Sequence, residues 1–133
     1  MMVKEPMVSA TEDKSAKRGQ ISQLQCLSFL KIVEAVRSVD PEFAIQQLAC
    51  LMYNAANEGC MVQDMADGLD MTQSSASRNV FALSKVHRLG KEGYNLVVSE
   101  ADPAERRRKL LYLTPKGKKV VKNLLNVHAS GLS

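Results

Sequence analysis

Apolar residues recur at helical spacing through most of this chain. Between residues 21 and 38, Leu24, Leu27, Leu30 and Val33 fall three apart, and Phe29, Ile32 and Val36 widen the stripe. Only Ser28, Lys31, Glu34 and Ala35 interrupt it as a narrow polar strip. A helix that is apolar over most of its circumference is buried on more than one side. In a chain of 133 residues a partner subunit is the natural source of the second side. Asp40-Pro41-Glu42 then reads as a helix start, with Asp as N-cap, Pro at the first helical position and an acid in the positive first turn. Ile45, Leu48, Ala49, Met52, Ala55 and Ala56 keep the helical spacing until Gly59 ends the element.

Beyond Gly59 the elements shorten. Residues 62–68 predict a short helix and Leu69-Asp70-Met71 a turn. Thr72 caps a second helix running to about Val86, with Ala76, Val80 and Leu83 inward and Ala66, Leu69 and Met71 packed against them. Helix, tight turn and helix with a small residue at the crossing is the helix-turn-helix pattern. Asp70 sits where the chain turns sharply, and Asp tolerates the left-handed conformation better than most residues with a side chain. Gly90 and Gly93 break the chain, and residues 94–99 (YNLVVS) read as a strand. A turn over 100–105 follows, and residues 109–113 return antiparallel. Thr114-Pro115 opens a last helix carrying Val120, Val121, Leu124, Leu125 and Val127. Residues 1–20 lack any apolar period and read as a mobile tail, leaving 21–133 as a single domain.

Composition changes this picture little, but the position of charge changes it more. Hydrophobic residues make up 45% and charged residues 24%, ordinary for a globular protein, and the net charge of +4 leans towards an anionic partner. The segment 106–122 is rich in Lys and Arg and holds no acid, whereas acids are spread over the rest. The three cysteines, Cys26, Cys50 and Cys60, show neither CxxC nor Cys/His spacing. That argues against a disulfide framework or zinc site, and reads each as a small buried hydrophobe in a reducing cytoplasm. No apolar run approaches a membrane span and no signal-peptide core opens the chain, so a cytoplasmic location is expected.

Two surfaces carry candidate chemistry. The second helix of the helix-turn-helix exposes Gln73, Ser74, Ser75, Ser77, Arg78 and Phe81, with Thr72 at its start. Short hydroxyl and amide side chains at a helix N-terminus suit close approach to DNA, donating to phosphates or base edges. Arg78 is long enough to reach guanine O6 and N7. The plain alternative is a polar solvent face with Thr72 as N-cap. Arg106, Arg107, Arg108 and Lys109 follow on the hairpin, where strand alternation would point two each way. Asp102 and Glu105 are placed to pair with one or more of these arginines, and here the alternative is a solvated turn with surface ion pairs. Lys116, Lys118, Lys119 and Lys122 suit backbone contacts or solubility equally. His87 and His128 share no short motif with a carboxylate pair or a cysteine, and no Gly-rich phosphate loop is present. The chain is therefore read as a protein that is not an enzyme, with no cofactor and no metal.

The residues resemble the MarR-type winged-helix family of DNA-binding regulators between about Gln63 and Leu125. Met65-Ala66-Asp67-Gly68-Leu69 looks like the helix that opens the family's helix-turn-helix, and Thr72-Gln73-Ser74-Ser75-Ala76-Ser77-Arg78 is similar to its recognition-helix start. Glu105-Arg106-Arg107 lies where the family's wing carries Asp-Arg-Arg, the acid orienting an arginine that enters the minor groove. Leu113-Thr114-Pro115-Lys116-Gly117 resembles the Leu-Thr-x-x-Gly that closes the wing, the most specific of these matches. Glu105 for Asp, Asp70 for a common Gly, and a long stretch from Leu83 to Asp102 depart from the pattern; the last implies either an extended recognition helix or a first wing strand that starts late.

The resemblance implies an α+β, mostly α, winged helix-turn-helix with a two- or three-stranded antiparallel wing and flanking helices. It implies a minimal member of the family that binds double-stranded DNA as a transcriptional regulator. The recognition helix would enter the major groove and the basic wing, Arg107 foremost, the minor groove. It implies a homodimer built on N- and C-terminal helices, and a small apolar effector, of unknown identity, held between the two subunits' helices. The rival reading is a winged helix used as a protein-interaction module without DNA function, anchored by exposed Phe81 and Tyr112. Thiol sensing through Cys26, Cys50 or Cys60 is a third reading, and it requires an exposed, low-pKa thiolate.

Overall fold

The computed structural model describes residues 19–85 and 92–132. The tail read over residues 1–20 falls almost wholly outside the described residues, as do Val86, His87 and Gly90. The elements run α1 (Gln23–Val39), α2 (Ile45–Ala56), α3 (Val62–Gly68), α4 (Gln73–Leu83), β1 (Val97–Ala101), β2 (Lys109–Leu113) and α5 (Pro115–Leu132). β1 and β2 form an antiparallel hairpin in which Val97 faces Leu113 and Ala101 faces Lys109. A single bridge from Cys60 to Leu111 adds a rudimentary third strand, with Gly59 N donating to Leu111 O at 2.7 Å and Leu111 N to Cys60 O at 2.8 Å.

The core lies where α2, α3 and α4 meet the inner face of the hairpin and the first half of α5. Cys50, Leu51, Met65, Val80, Leu83, Leu96, Val97, Leu111 and Val121 are its buried members. Asn54 is the one fully buried amide on α2; its Nδ2 donates to Leu111 O at 3.0 Å and so ties α2 to the hairpin. No helix of the described residues is long and apolar enough to cross a membrane.

α1 is capped by Ser22, whose Oγ accepts from Gln25 N at 3.2 Å. It packs along α5, yet none of its residues is buried. Leu24 is 76% exposed, Phe29 66% and Leu30 49%, so the apolar excess read from the sequence faces outward within one copy of the chain. Asp40-Pro41-Glu42 is not a helix start. Asp40 is the C-cap of α1, and its Oδ1 accepts from Glu42 N at 2.8 Å in a tight side-chain turn. The helical run resumes only at Ile45, where Gln47 Oε1 accepts the Ala44 N–H at 3.2 Å. Asp-Pro suits a turn as well as a helix start, and the side-chain acceptor was satisfied locally before the apolar period began.

The first wing strand also starts later than the sequence pattern suggests, at Val97 and not Tyr94. Asn95 adopts φ 59°, which breaks the extended run. The amides of Tyr94 and Leu96 close on the C-terminal carbonyls of α4 instead, Tyr94 N to Ala82 O at 3.1 Å and Leu96 N to Leu83 O at 2.7 Å. α5 continues to Leu132, past the apolar positions that announce it.

Candidate nucleic-acid interface

The turn between α3 and α4 is a Schellman closure. Met71 N donates to Ala66 O at 2.9 Å and Asp70 N to Asp67 O at 3.3 Å, with Asp70 in the left-handed region at φ 54°. Gly68 at the end of α3 lies directly under the Tyr53 ring, which a Cβ there would strike. Gly68 therefore lets the end of α3 lie close against α2, while Ala66 on α3 and Ala76 on α4 are both buried.

α4 begins at a true cap: Thr72 Oγ1 accepts from Ser75 N at 3.0 Å. That bond engages the Thr72 hydroxyl and turns the free N–H groups of the first turn outward, where the helix dipole favours an anion. Ala76, Val80, Ala82 and Leu83 face the core. Gln73, Ser74, Arg78 and Phe81 are exposed, while Ser75 and Ser77 are half-buried. Ser74, Arg78 and Phe81 stand at i, i+4 and i+7 and so share one outward stripe. Phe81, half-exposed at 50%, is the apolar member of that stripe. Lys85, which the sequence pattern places inside the helix, lies just past its end and is exposed.

The cations of the wing do not alternate along a strand. β2 starts at Lys109, so Arg106, Arg107 and Arg108 lie in the loop that joins the strands. All four are exposed. Asp102 organises this loop. Its N–H donates to Arg108 O at 2.8 Å, its carbonyl accepts from Glu105 N at 3.2 Å, and its Oδ1 accepts from Ala104 N at 2.9 Å. Its Oδ2 lies 3.4 Å from Arg108 Nη1. Asp102 thus takes the pairing that the sequence assigns to Asp102 and Glu105 together. Among the described residues Glu105 forms no ion pair, and neither do Arg106 and Arg107. The reason is geometric: Glu105 contributes only backbone groups to the loop, and its carbonyl accepts Arg108 N at 2.8 Å.

The root of the wing explains the Leu-Thr-x-x-Gly run. Thr114 Oγ1 donates to Asn95 O at 2.6 Å and accepts from Gly117 N at 2.9 Å, while Thr114 N donates to Leu96 O at 3.0 Å. The backbone of Leu96 crosses so close to Gly117 that any Cβ there would strike the Leu96 carbonyl. Leu113 N is held by Glu58 Oε2 at 2.8 Å, a contact across 55 residues that no local pattern announces.

The remaining candidates separate. Tyr112 is half-buried, its ring lying over Gly59, and does not stand free as an anchor. Cys50 is buried and Cys60 half-buried, and burial pushes both thiols up from the ordinary range. Cys26 is exposed on α1, contrary to its reading as a buried hydrophobe. Among the described residues no three His, Cys, Asp or Glu side chains cluster to hold a metal ion. Between α1, α2 and α5 lies an apolar cavity of about 220 Å³ lined by Ile32, Val36, Leu48, Met52, Leu124 and His128.

No family sequence profile matches the chain, and no curated protein does. Solved structures do. A MarR transcriptional regulator from Methanosarcina mazei Go1 superposes with a TM-score of 0.59 at 17% identity, covering 91% of this chain and 76% of its own. The repressor CouR bound to a 23-mer DNA duplex gives 0.59 at 23% identity, covering 88% and 72%. The S. aureus MepR–DNA complex gives 0.64 at 22% identity, covering 76% and 69%. These superpositions show that the chain has the MarR-type winged-helix fold.

Proposed function

We propose that this protein is a sequence-specific, double-stranded-DNA-binding transcriptional regulator that acts as a homodimer. The observation that carries the reading is the exposed Ser74–Arg78–Phe81 stripe on a capped helix, followed by a wing whose loop presents Arg106 and Arg107, which among the described residues form no ion pair. α4 enters the major groove. There Gln73, Ser74, Ser75 and Ser77 approach phosphates and base edges, Arg78 reads a guanine, and Phe81 packs on apolar base edges such as the thymine methyl. The wing tip lies against the adjacent minor groove, where a narrow groove attracts arginine. Lys109 opens β2 opposite Ala101, next to the wing's loop. The similar structures of CouR and MepR, each bound to DNA, support the reading at the level of fold.

The apolar outer face of α1 supplies the dimer contact, continued by Leu125 of α5. A two-fold dimer implies a pseudo-palindromic site with half-sites about one helical turn apart. The cavity between α1, α2 and α5 abuts this face and suits a small apolar effector.

Selection of bound sequences from a random duplex pool tests the function: a palindrome is expected. Arg78→Ala should then lose discrimination between the selected site and random DNA by about 1–3 kcal/mol. Arg107→Ala should weaken both and flatten the dependence on log salt. If the wild-type protein shifts no duplex even at low salt, the half-exposed Phe81 favours the second reading, a protein-interaction module.

A further inference from the structure

We propose that Asp102 is a positioning residue that withholds Arg108 from nucleic acid and so leaves the phosphate contacts of the wing's loop to Arg106 and Arg107. The inference rests on the DNA-binding reading and deepens it.

Four successive cations suggest four equivalent contacts, but the loop makes them unequal. Arg108 is pinned at both ends of its backbone, its N–H on Glu105 O and its carbonyl on Asp102 N, each at 2.8 Å. Its guanidinium lies 3.4 Å from Asp102 Oδ2. The Asp102 side chain is only 14% exposed, against 48% for Arg108, and its other oxygen is committed to Ala104 N at 2.9 Å. The carboxylate is therefore fixed while the guanidinium is the mobile partner. A phosphate approaching Arg108 meets a cation whose charge is largely offset a few ångströms away, and the net attraction falls accordingly. Capturing that arginine would also leave a mostly buried carboxylate facing the phosphate. Arg106 and Arg107 lie at the apex of the loop, exposed and, among the described residues, in no ion pair.

The device differs from simple anchoring. Asp102 holds the loop through its backbone and through the Ala104 bond, both of which an amide can keep. Its negative charge serves the separate purpose of neutralising Arg108. Removing the charge alone releases a further cation, which a structural role does not predict.

The test is the salt dependence of binding to a random 23-bp duplex, measured by fluorescence anisotropy with the full chain. Wild type and Arg108→Gln are expected to share a slope of log K against log salt, whereas Arg107→Gln is shallower by about 0.9, the loss of one phosphate contact. Asp102→Asn is expected to be steeper than wild type by about 0.9 and tighter at low salt. The double variant Asp102→Asn with Arg108→Gln returns to the slope of Arg108→Gln. A wing that came apart would flatten the slope, so steepening cannot arise from unfolding. The assignment is overturned if Arg108→Gln alone flattens the slope as Arg107→Gln does, or if Asp102→Asn leaves it unchanged or flattened. A steep slope that survives in the double variant reports only the removal of an acid and overturns it as well. Wild-type protein that binds no duplex sinks the DNA reading itself, and the assignment with it.

Discussion

The Tyr94 hydroxyl donates to Asp40 Oδ2 at 2.7 Å, joining the end of α1 to the segment that leads from α4 into the wing. The Tyr94 ring also meets Phe43 edge-on, with centroids 4.8 Å apart. Asp40 titrates below its ordinary value of 3.8, first because Glu42 N donates to it and then because Tyr94 does. A carboxyl with a folded-state pKa below its unfolded one stabilises the fold above the unfolded value, and this is lost as pH falls through the folded value. Tyr94 is shifted the other way, to about 12, mainly by burial and then by the bond to Asp40. Its contribution is complete below 10 and lost as pH rises towards 12. Asp40→Asn is therefore expected to melt below wild type at pH 7, with the gap closing below pH 3.8, in thermal melts followed by circular dichroism. An equal gap at both ends would assign the effect to the turn and not to the charge.

Gly117 and Gly68 both face a neighbour that a methyl would strike, but the neighbours differ. At Gly117 the obstacle is the Leu96 carbonyl, backbone locked by Thr114. Gly117→Ala should destabilise by about 1–3 kcal/mol despite the better helix propensity of Ala. At Gly68 the obstacle is the Tyr53 side chain, which can turn away, and a propensity gain of about 1 kcal/mol offsets the displacement. Urea unfolding with unchanged m reads both. Equal losses at the two sites would refute the distinction.

The outward face of α1 predicts self-association. Leu27→Glu combined with Leu30→Glu should convert a dimer into a monomer in sedimentation velocity. It should also abolish any concentration dependence of the melting temperature. Both leucines are about half-exposed within one copy, at 48% and 49%, so the monomer should keep its helical signal. A wild-type protein that sediments as a monomer at all concentrations contradicts the assignment.

The cysteines should separate by labelling. Cys26 is exposed, whereas Cys50 is buried and both Cys50 and Cys60 have thiols raised by burial. Iodoacetamide at pH 7.5, read by peptide mass spectrometry, should modify Cys26 first and Cys50 only in denaturant. Early labelling of Cys50 would show that the core between α2 and α4 opens. If Cys26 lies in a dimer contact, dilution should accelerate its labelling.

Local chemistry was legible in the sequence wherever one residue had one use. Thr72 as a cap, Asp70 in a left-handed turn, the inward Ala76, Val80 and Leu83, and the Thr114-Pro115 helix start all stand as their residue types dictate. Asp40 misled because the same Asp-Pro pair opens helices and closes them; here Asp40 closes α1 and spends Oδ1 on Glu42 N, while the bond from Tyr94, 54 residues away, gave no local signal. The late start of β1 was one of two readings that the long stretch from Leu83 to Asp102 allowed; the local pattern hid it because residues 94–96 have strand character but spend their amides on the end of α4. On the wing, sequence order put Glu105 nearest the arginines, but the partner of Arg108 is decided by how the loop folds back on Asp102. The outward stripe of α1 was plain in the apolar pattern; that α5 covers only its other side was not.

Four hydrogen bonds of Thr114, to Asn95, Leu96, Gly117 and Lys118, join the first turn of α5 to the base of the hairpin, and Gly117 leaves no slack between them. Leu96, held by the same residue, is also bonded to the last turn of α4. The hairpin, α4 and the start of α5 are therefore tied together at a single joint. On the proposed reading as a two-fold DNA-binding dimer, a tilt of the helical arm would carry α4 and the wing as a pair and change the span between the two copies.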